Sequence, residues 1–252
     1  MLEEIRHSDV LELRLERPPA NALSPELIAA LEKSVRTAGA RGARGLVLSG
    51  RAGMFSAGLD VPLFLELDRG GARAAWRGFL DLMRVLTDSP IPVACAVTGH
   101  APAGGCVLAL CCHWRVMAQG DFKIGLNEVA VGVRVPEPIW AAARQAVGTR
   151  AAERLCTSAE LLDAAGALRL GLVDELAPGA DVVPRGVRWV ESQLALPPVT
   201  LRETRALARR ELRESFERCD ARALETFLDE WFGDEARAAL RAVVARLAAK
   251  KK

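Results

Sequence analysis

The sequence predicts an α/β protein in which parallel strands alternate with crossover helices, followed by an all-helical C-terminal region. Three observations carry this reading. Short apolar segments of strand length recur, as in GARGLVLSG (42–50) and Val93-Ala-Cys-Ala-Val97. Each leads through a loop into a helical pattern and not into a hairpin turn, which makes neighbouring strands parallel. From about residue 136 the chain reads as mostly helical, and Pro197-Pro198 opens a stretch of purely helical stripes. A core over 1–196 and a helical region over 197–252 are expected.

Taken in order, VLELRLE (10–16) alternates Leu11, Leu13 and Leu15 with charged neighbours, the pattern of a half-buried strand. Arg17-Pro-Pro-Ala-Asn-Ala22 forms a turn. Ser24 followed by Pro25 starts a helix, as a cap with proline at the first helical position. The 42–50 segment supplies a short, largely apolar strand closed by glycine, which suits a strand buried on both faces. A loop at 51–62 leads to a helix around 72–88, then to the strand 93–97, a Gly-rich turn and a small-residue helix at about 104–112. Strands near Trp114–Ala118 and Phe122–Gly125 follow. Gly148 to Ala167 reads as a helix pair and 171–178 as a short extended segment. Thr200 is expected to cap a long helix to about Phe216, with Asp220 and Asp234 capping two more. Leu212, Phe216, Leu224, Phe227, Leu228, Trp231, Leu240, Val244 and Leu247 stripe these helices. Left uncovered, such stripes favour self-association. The lysine tail 250–252 reads as a frayed, solvated end.

A net charge of +2, spread without a basic face, gives no footprint for nucleic acid. No apolar run reaches the roughly 20 residues that span a bilayer. The acidic start MLEEIRHSDV carries neither a signal core nor an import helix, so a cytoplasmic location is expected. The six cysteines sit mostly in apolar segments without CxxC spacing, as reduced buried thiols do. No metal-ligand spacing is present, and His113 with Cys111 and Cys112 does not supply one.

Three segments bear on chemistry: Phe55-Ser-Ala-Gly-Leu-Asp60, Gly99-His-Ala-Pro-Ala-Gly-Gly-Cys106 and Ile124-Gly-Leu-Asn-Glu128. Each puts small residues between a strand and the next element, where backbone N–H groups can approach a ligand. A helix starting at Gly104 adds unpaired N–H groups and a positive dipole end. Glu128 lies among Ile124, Leu126, Val129, Val131 and Val133, and apolar surroundings raise a carboxyl's pKa. His100 reads as a turn residue satisfied by backbone.

Together these segments resemble the enoyl-CoA hydratase/isomerase (crotonase) superfamily over essentially the whole chain. PANALS, GMFSAGLD, PAGGC, IGLNE and the stretch from RAAERL to GLVDELAP are most similar to mitochondrial-type Δ3,Δ2-enoyl-CoA isomerases. The resemblance implies a spiral of ββα units with a C-terminal helical trimerisation region, and a homotrimer or dimer of trimers. It implies an acyl-CoA substrate with no further cofactor and no metal. The backbone N–H groups of Leu59 and Gly104 would hold the thioester oxygen, and Glu128 would move the proton. Ala20, Ala22, Ala57, Gly58, Asp60 and Val61 would line the coenzyme A path, with Asp60 also bracing its loop. Asn127 would meet the acyl-thioester region, and Arg17, Arg51 or an arginine from a neighbouring subunit's C-terminal helices could face the phosphates. Hydratases of the family carry a second glutamate where this sequence has Val107. Isomerase chemistry in fatty-acid β-oxidation is therefore expected. Hydration, thioester hydrolysis, decarboxylation and non-catalytic acyl-CoA binding stand as alternatives. The segment Val133–Trp140 departs from the family, with two prolines where isomerases of this type place a bulky aromatic.

Overall fold

The computed structural model describes residues 1–249; the lysine tail lies outside them. Ten strands form two sheets. The larger has the order β1 (Leu2–His7), β2 (Val10–Leu15), β3 (Gly45–Ser49), β5 (Val93–Val97), β7 (Trp114–Ala118) and β10 (Glu175–Ala177). The smaller has the order β4 (Gly53–Met54), β6 (Gly99–Pro102), β8 (Lys123–Gly125) and β9 (Leu162–Asp163). Only the β1–β2 and β8–β9 pairs are antiparallel. Successive units β3–β4, β5–β6 and β7–β8 each place one strand in each sheet, always on the same side of the last. The chain therefore advances as a spiral, as the resemblance implied.

The crossovers are helices. α1 (Pro25–Thr37) links β2 to β3, and its start is as expected: Leu27 N donates to the Ser24 hydroxyl. α2 (Val61–Glu66) and α3 (Arg69–Thr87) link β4 to β5, and α4 (Gly104–Cys111) links β6 to β7. Then come α5 (Glu137–Val147), α6 (Thr149–Thr157), α7 (Ala164–Leu170) and α8 (Val182–Leu194). The C-terminal region holds α9 (Pro198–Ala208), α10 (Arg210–Arg218), α11 (Ala221–Trp231) and α12 (Asp234–Ala249). β3 and β5 are buried at every position, which is why their sequences are unbroken apolar runs.

Four expectations need correction. The strand around Val10–Leu15 is not half-exposed, because β1, unforeseen in the sequence, pairs along its open edge. Glu12 is consequently fully buried, held by Arg14, His7 Nε2 at 2.7 Å and the Ser49 hydroxyl at 2.7 Å. The helix expected from Thr200 to Phe216 starts instead at Pro198 and breaks at Arg209. At the break the Arg209 side chain turns inward and donates to the carbonyls of Cys111 and Cys112, buried acceptors at the end of α4. Asp220 caps α11 through Ala223 N as expected, whereas Asp234 is already inside its helix.

The fourth correction concerns the C-terminal stripes. Leu212, Phe216, Leu224, Phe227, Leu228, Trp231 and Leu240 are all buried within this one chain, while Val244 is half-buried and Leu247 is exposed. α11 packs on α3, and α12 packs on α2 and on the 3-10 turn Val129–Val131. The stripes therefore close the molecule over itself, and they do not by themselves require a partner. Among the described residues no helix is long and apolar enough to cross a membrane.

Candidate active site

The site begins with how the chain lays two loops side by side. Asn21 is fully buried, and its amide donates to the carbonyls of Leu15, Met54 and Phe55 at 3.0–3.1 Å while accepting from Arg17 N. This staples the 17–22 turn onto the 54–60 loop. Ala57 N then donates to Ala20 O, Leu23 N to Gly58 O, and Asp60 N to Leu23 O. In such a parallel bridge Leu23 bonds with the neighbours of Leu59, so the N–H of Leu59 itself faces the opposite way. No acceptor among the described residues meets it.

The opposite side is the start of α4. Ala103 sits at φ 48°, which turns the chain so that the Gly104 N–H opens the helix without an acceptor. Gly58 has φ 88°, and a Cβ there would come within 2.9 Å of Gly104 N. A Cβ on Gly104 would stand 3.3 Å from Leu59 N. The glycines let two free amides approach each other, an arrangement suited to one oxyanion.

Both amides open on a cavity of about 140 Å³. Ala57, Leu59, Gly104, Asn127 and Glu128 line it together with an apolar wall that includes Trp76, Phe79, Trp231, Leu240 and Val243. Glu128 caps the 3-10 turn after β8, and its carbonyl accepts from Val131 N and Val133 N at 3.0 Å. Its side chain is 9% exposed and its Oε2 is buried with no partner. Burial pushes the carboxyl up to about 7, against an opposite pull from the backbone N–H groups of Glu128 and Asn127. Asn127 Oδ1 is likewise buried without a partner. Of the apolar neighbours expected around Glu128, Ile124 and Leu126 are buried and Val131 and Val133 line the cavity. Val129 points outward, half exposed.

Among the described residues Glu128 is the sole ionisable side chain on the cavity wall. Val107 is buried away from it. Asp60 accepts from Leu63 N and pairs with Arg17 at 2.6 Å, which braces the Leu59 loop. Glu137 pairs with Arg218 at 2.5 Å. His100 Nδ1 accepts from Lys123 N and His113 Nδ1 from Val93 N, so both rings serve the backbone. Burial pushes the Cys111 thiol up to about 12 and the Cys156 thiol to about 11, which makes both poor nucleophiles.

Of the expected coenzyme A contacts, Ala57, Val61 and Asn127 line the cavity. Ala20, Ala22, Gly58 and Asp60 do not. Ala20 and Gly58 spend their carbonyls on the ladder between the loops, Ala22 O accepts from Arg17, and Asp60 is a cap. Arg17 is thus committed to the loops, and Arg51 pairs with Glu16. Sequence reasoning missed the aromatic wall. Its rings come from α3 and α11, while from Val133–Trp140 only Val133, Pro136 and Ile139 line the cavity and Trp140 stays outside it.

Comparison with known proteins agrees with this geometry. The family model described as enoyl-CoA hydratase/isomerase matches residues 5–239. The human mitochondrial enoyl-CoA delta isomerase 1 is 31% identical over 215 residues, covering 83% of this chain and 70% of that one. A Thermus thermophilus protein with a provisional enoyl-CoA hydratase name is 35% identical over 191 residues, covering 74% and 75%. The crystal structure of the human mitochondrial Δ3,Δ2-enoyl-CoA isomerase superposes with a TM-score of 0.95 at 27% identity, covering 100% of this chain and 99% of that one. With its spiral core, its facing amides and a match spanning both sheets and most of the C-terminal helices, the chain belongs to the enoyl-CoA hydratase/isomerase family.

Proposed function

We propose that the protein is a Δ3,Δ2-enoyl-CoA isomerase acting in the β-oxidation of unsaturated fatty acids. The observation that carries this is the solitary carboxyl: among the described residues, Glu128 shares the cavity with two free amides and with no second acid or base. Adding water to a double bond needs one group to activate the water and another to handle the second proton. Transposing a double bond needs one. The carboxylate removes a proton from C2 of a 3-enoyl thioester, and the electron pair spreads through a dienolate onto the thioester oxygen. The amides of Leu59 and Gly104 stabilise that oxygen, a contribution worth about 3–4 kcal/mol of barrier per donor. The carboxylic acid then returns the proton at C4, giving the trans-2-enoyl thioester. Protons and electrons balance within the substrate, and no cofactor is consumed.

Asn127 is placed to meet the thioester region, and Ala57 and Val61 the inner end of the pantetheine. A carboxyl titrating near 7 exchanges protons in both directions at neutral pH. The test is conversion of 3-hexenoyl-CoA to the 2-enoyl product by the purified protein, followed by ultraviolet absorbance, with Glu128→Gln as control. We expect turnover in the parent and loss of at least about a thousandfold in the variant, with acyl-CoA affinity retained. Hydration of trans-2-hexenoyl-CoA at a comparable rate would replace this reading with a hydratase. Acyl-CoA affinity without turnover of either compound would replace it with a binding protein. Light scattering at the mass of a trimer or hexamer tests the assembly that family membership suggests.

A further inference from the structure

We infer that the cavity limits its substrates to acyl chains of about six carbons, and that Trp231 and Trp76 set the limit; this rests on the acyl-CoA reading above. The volume gives the scale. The cavity holds about 140 Å³, close to the roughly 150 Å³ apolar cavity that accepts one benzene, a six-carbon ligand. The part beside Glu128 and the two amides must take the thioester carbon and the two or three carbons that react. Little room remains beyond them.

Trp76 and Phe79 from α3 and Trp231 from α11 form an aromatic wall of the cavity, each residue no more than 3% exposed. These rings are backed by others. The Trp76 centroid lies 5.4 Å from Trp231 and 4.5 Å from Phe227, and Phe64 meets both tryptophans edge-on at 6.1–6.3 Å. A longer chain would have to displace the whole aromatic cluster, and close-packed rings do not yield a passage without losing their contacts. The helices that carry them are also tied together. Arg69 pairs with Glu225 at 3.0 Å and Asp229 at 2.7 Å, and Arg73 also pairs with Glu225, which holds α3 to α11. Leu240 and Val243 of α12 close the flank.

The experiment uses the full-length protein and two series. Saturated butanoyl-, hexanoyl-, octanoyl-, dodecanoyl- and hexadecanoyl-CoA are titrated calorimetrically, and 3-enoyl-CoAs of matching length from hexenoyl upward are assayed for kcat/KM. Affinity should tighten about fourfold per added methylene up to hexanoyl, the value for burying one CH₂, and then level or fall. The kcat/KM for 3-dodecenoyl-CoA should be below about a tenth of that for 3-hexenoyl-CoA, and Trp231→Leu should raise that ratio at least about tenfold. Trp76→Phe, a smaller cut in the same wall, should move the ratio the same way and serves if Trp231→Leu does not fold. Parent affinity that keeps tightening through dodecanoyl-CoA overturns the inference. A length limit in binding with no isomerisation leaves it standing and removes the isomerase reading. Equal turnover at every length does the reverse.

Discussion

In the proposed mechanism Glu128 sets catalysis against stability, and Glu128→Gln separates the two. The carboxyl is raised from 4.5 to about 7 by burial. Unfolded, it releases its proton near 4.5; folded, it keeps the proton to about 7. Between those values the native state binds more protons, so unfolding free energy falls as pH rises. Below the unfolded value the carboxyl costs the fold nothing, and above the folded value it costs the full amount. At about 1.4 kcal/mol for each tenfold change in proton affinity, that cost is about 3 kcal/mol. Glutamine keeps the shape and carries no charge. The variant should therefore be more stable than the parent by about 3 kcal/mol at about pH 8 and nearly unchanged at about pH 4. Urea denaturation of both proteins at both pH values, followed by circular dichroism, measures it. Taking the difference between the proteins cancels the titration of every other carboxylate. Equal gains at both pH values, or a loss at the higher one, would show that the charge is not desolvated in the fold.

Three further outcomes follow from the same geometry. The kcat/KM for 3-hexenoyl-CoA should fall about tenfold per pH unit below about pH 6, and level off above about pH 8, as Glu128 must be ionised in the free protein. Gly58→Ala puts a Cβ 2.9 Å from Gly104 N at φ 88°, so kcat should drop about a hundredfold while the circular dichroism spectrum is retained. Arg209→Ala leaves the Cys111 and Cys112 carbonyls without their buried donor and should cost about 3 kcal/mol of unfolding free energy, read by urea denaturation.

What the sequence made legible was local. Ser24-Pro25, Asp220 and the glycines of the loops at 55–60 and 99–106 write their geometry into adjacent residues, and Glu128 stands at a fixed distance from a recognisable strand. The hidden features depend on pieces far apart in the chain. Glu12 reads as a solvated strand residue until β1 covers it and His7 and Ser49 reach it. Arg209 looks like one of many surface arginines, and only the folded chain shows it meeting acceptors almost a hundred positions earlier. Trp76 and Trp231 are visibly apolar at helical spacing, yet nothing in either helix says that they share one wall. The C-terminal stripes were legible as stripes; their partner surface, which is their own core, was not.

That self-covering tail has a consequence for biosynthesis. All ten strands lie before residue 178, whereas Trp231, Leu240 and Val243 come more than fifty positions downstream. A nascent chain can complete its hydrogen-bonded scaffold while the reaction chamber still stands open to water. Until α12 has emerged from the ribosome and docked, the cavity lacks the Leu240 and Val243 that line it with Glu128. Proteolytic clipping ahead of α11 would recreate that unfinished state, with Glu128 and the two amides present and Trp231, Leu240 and Val243 gone from the wall.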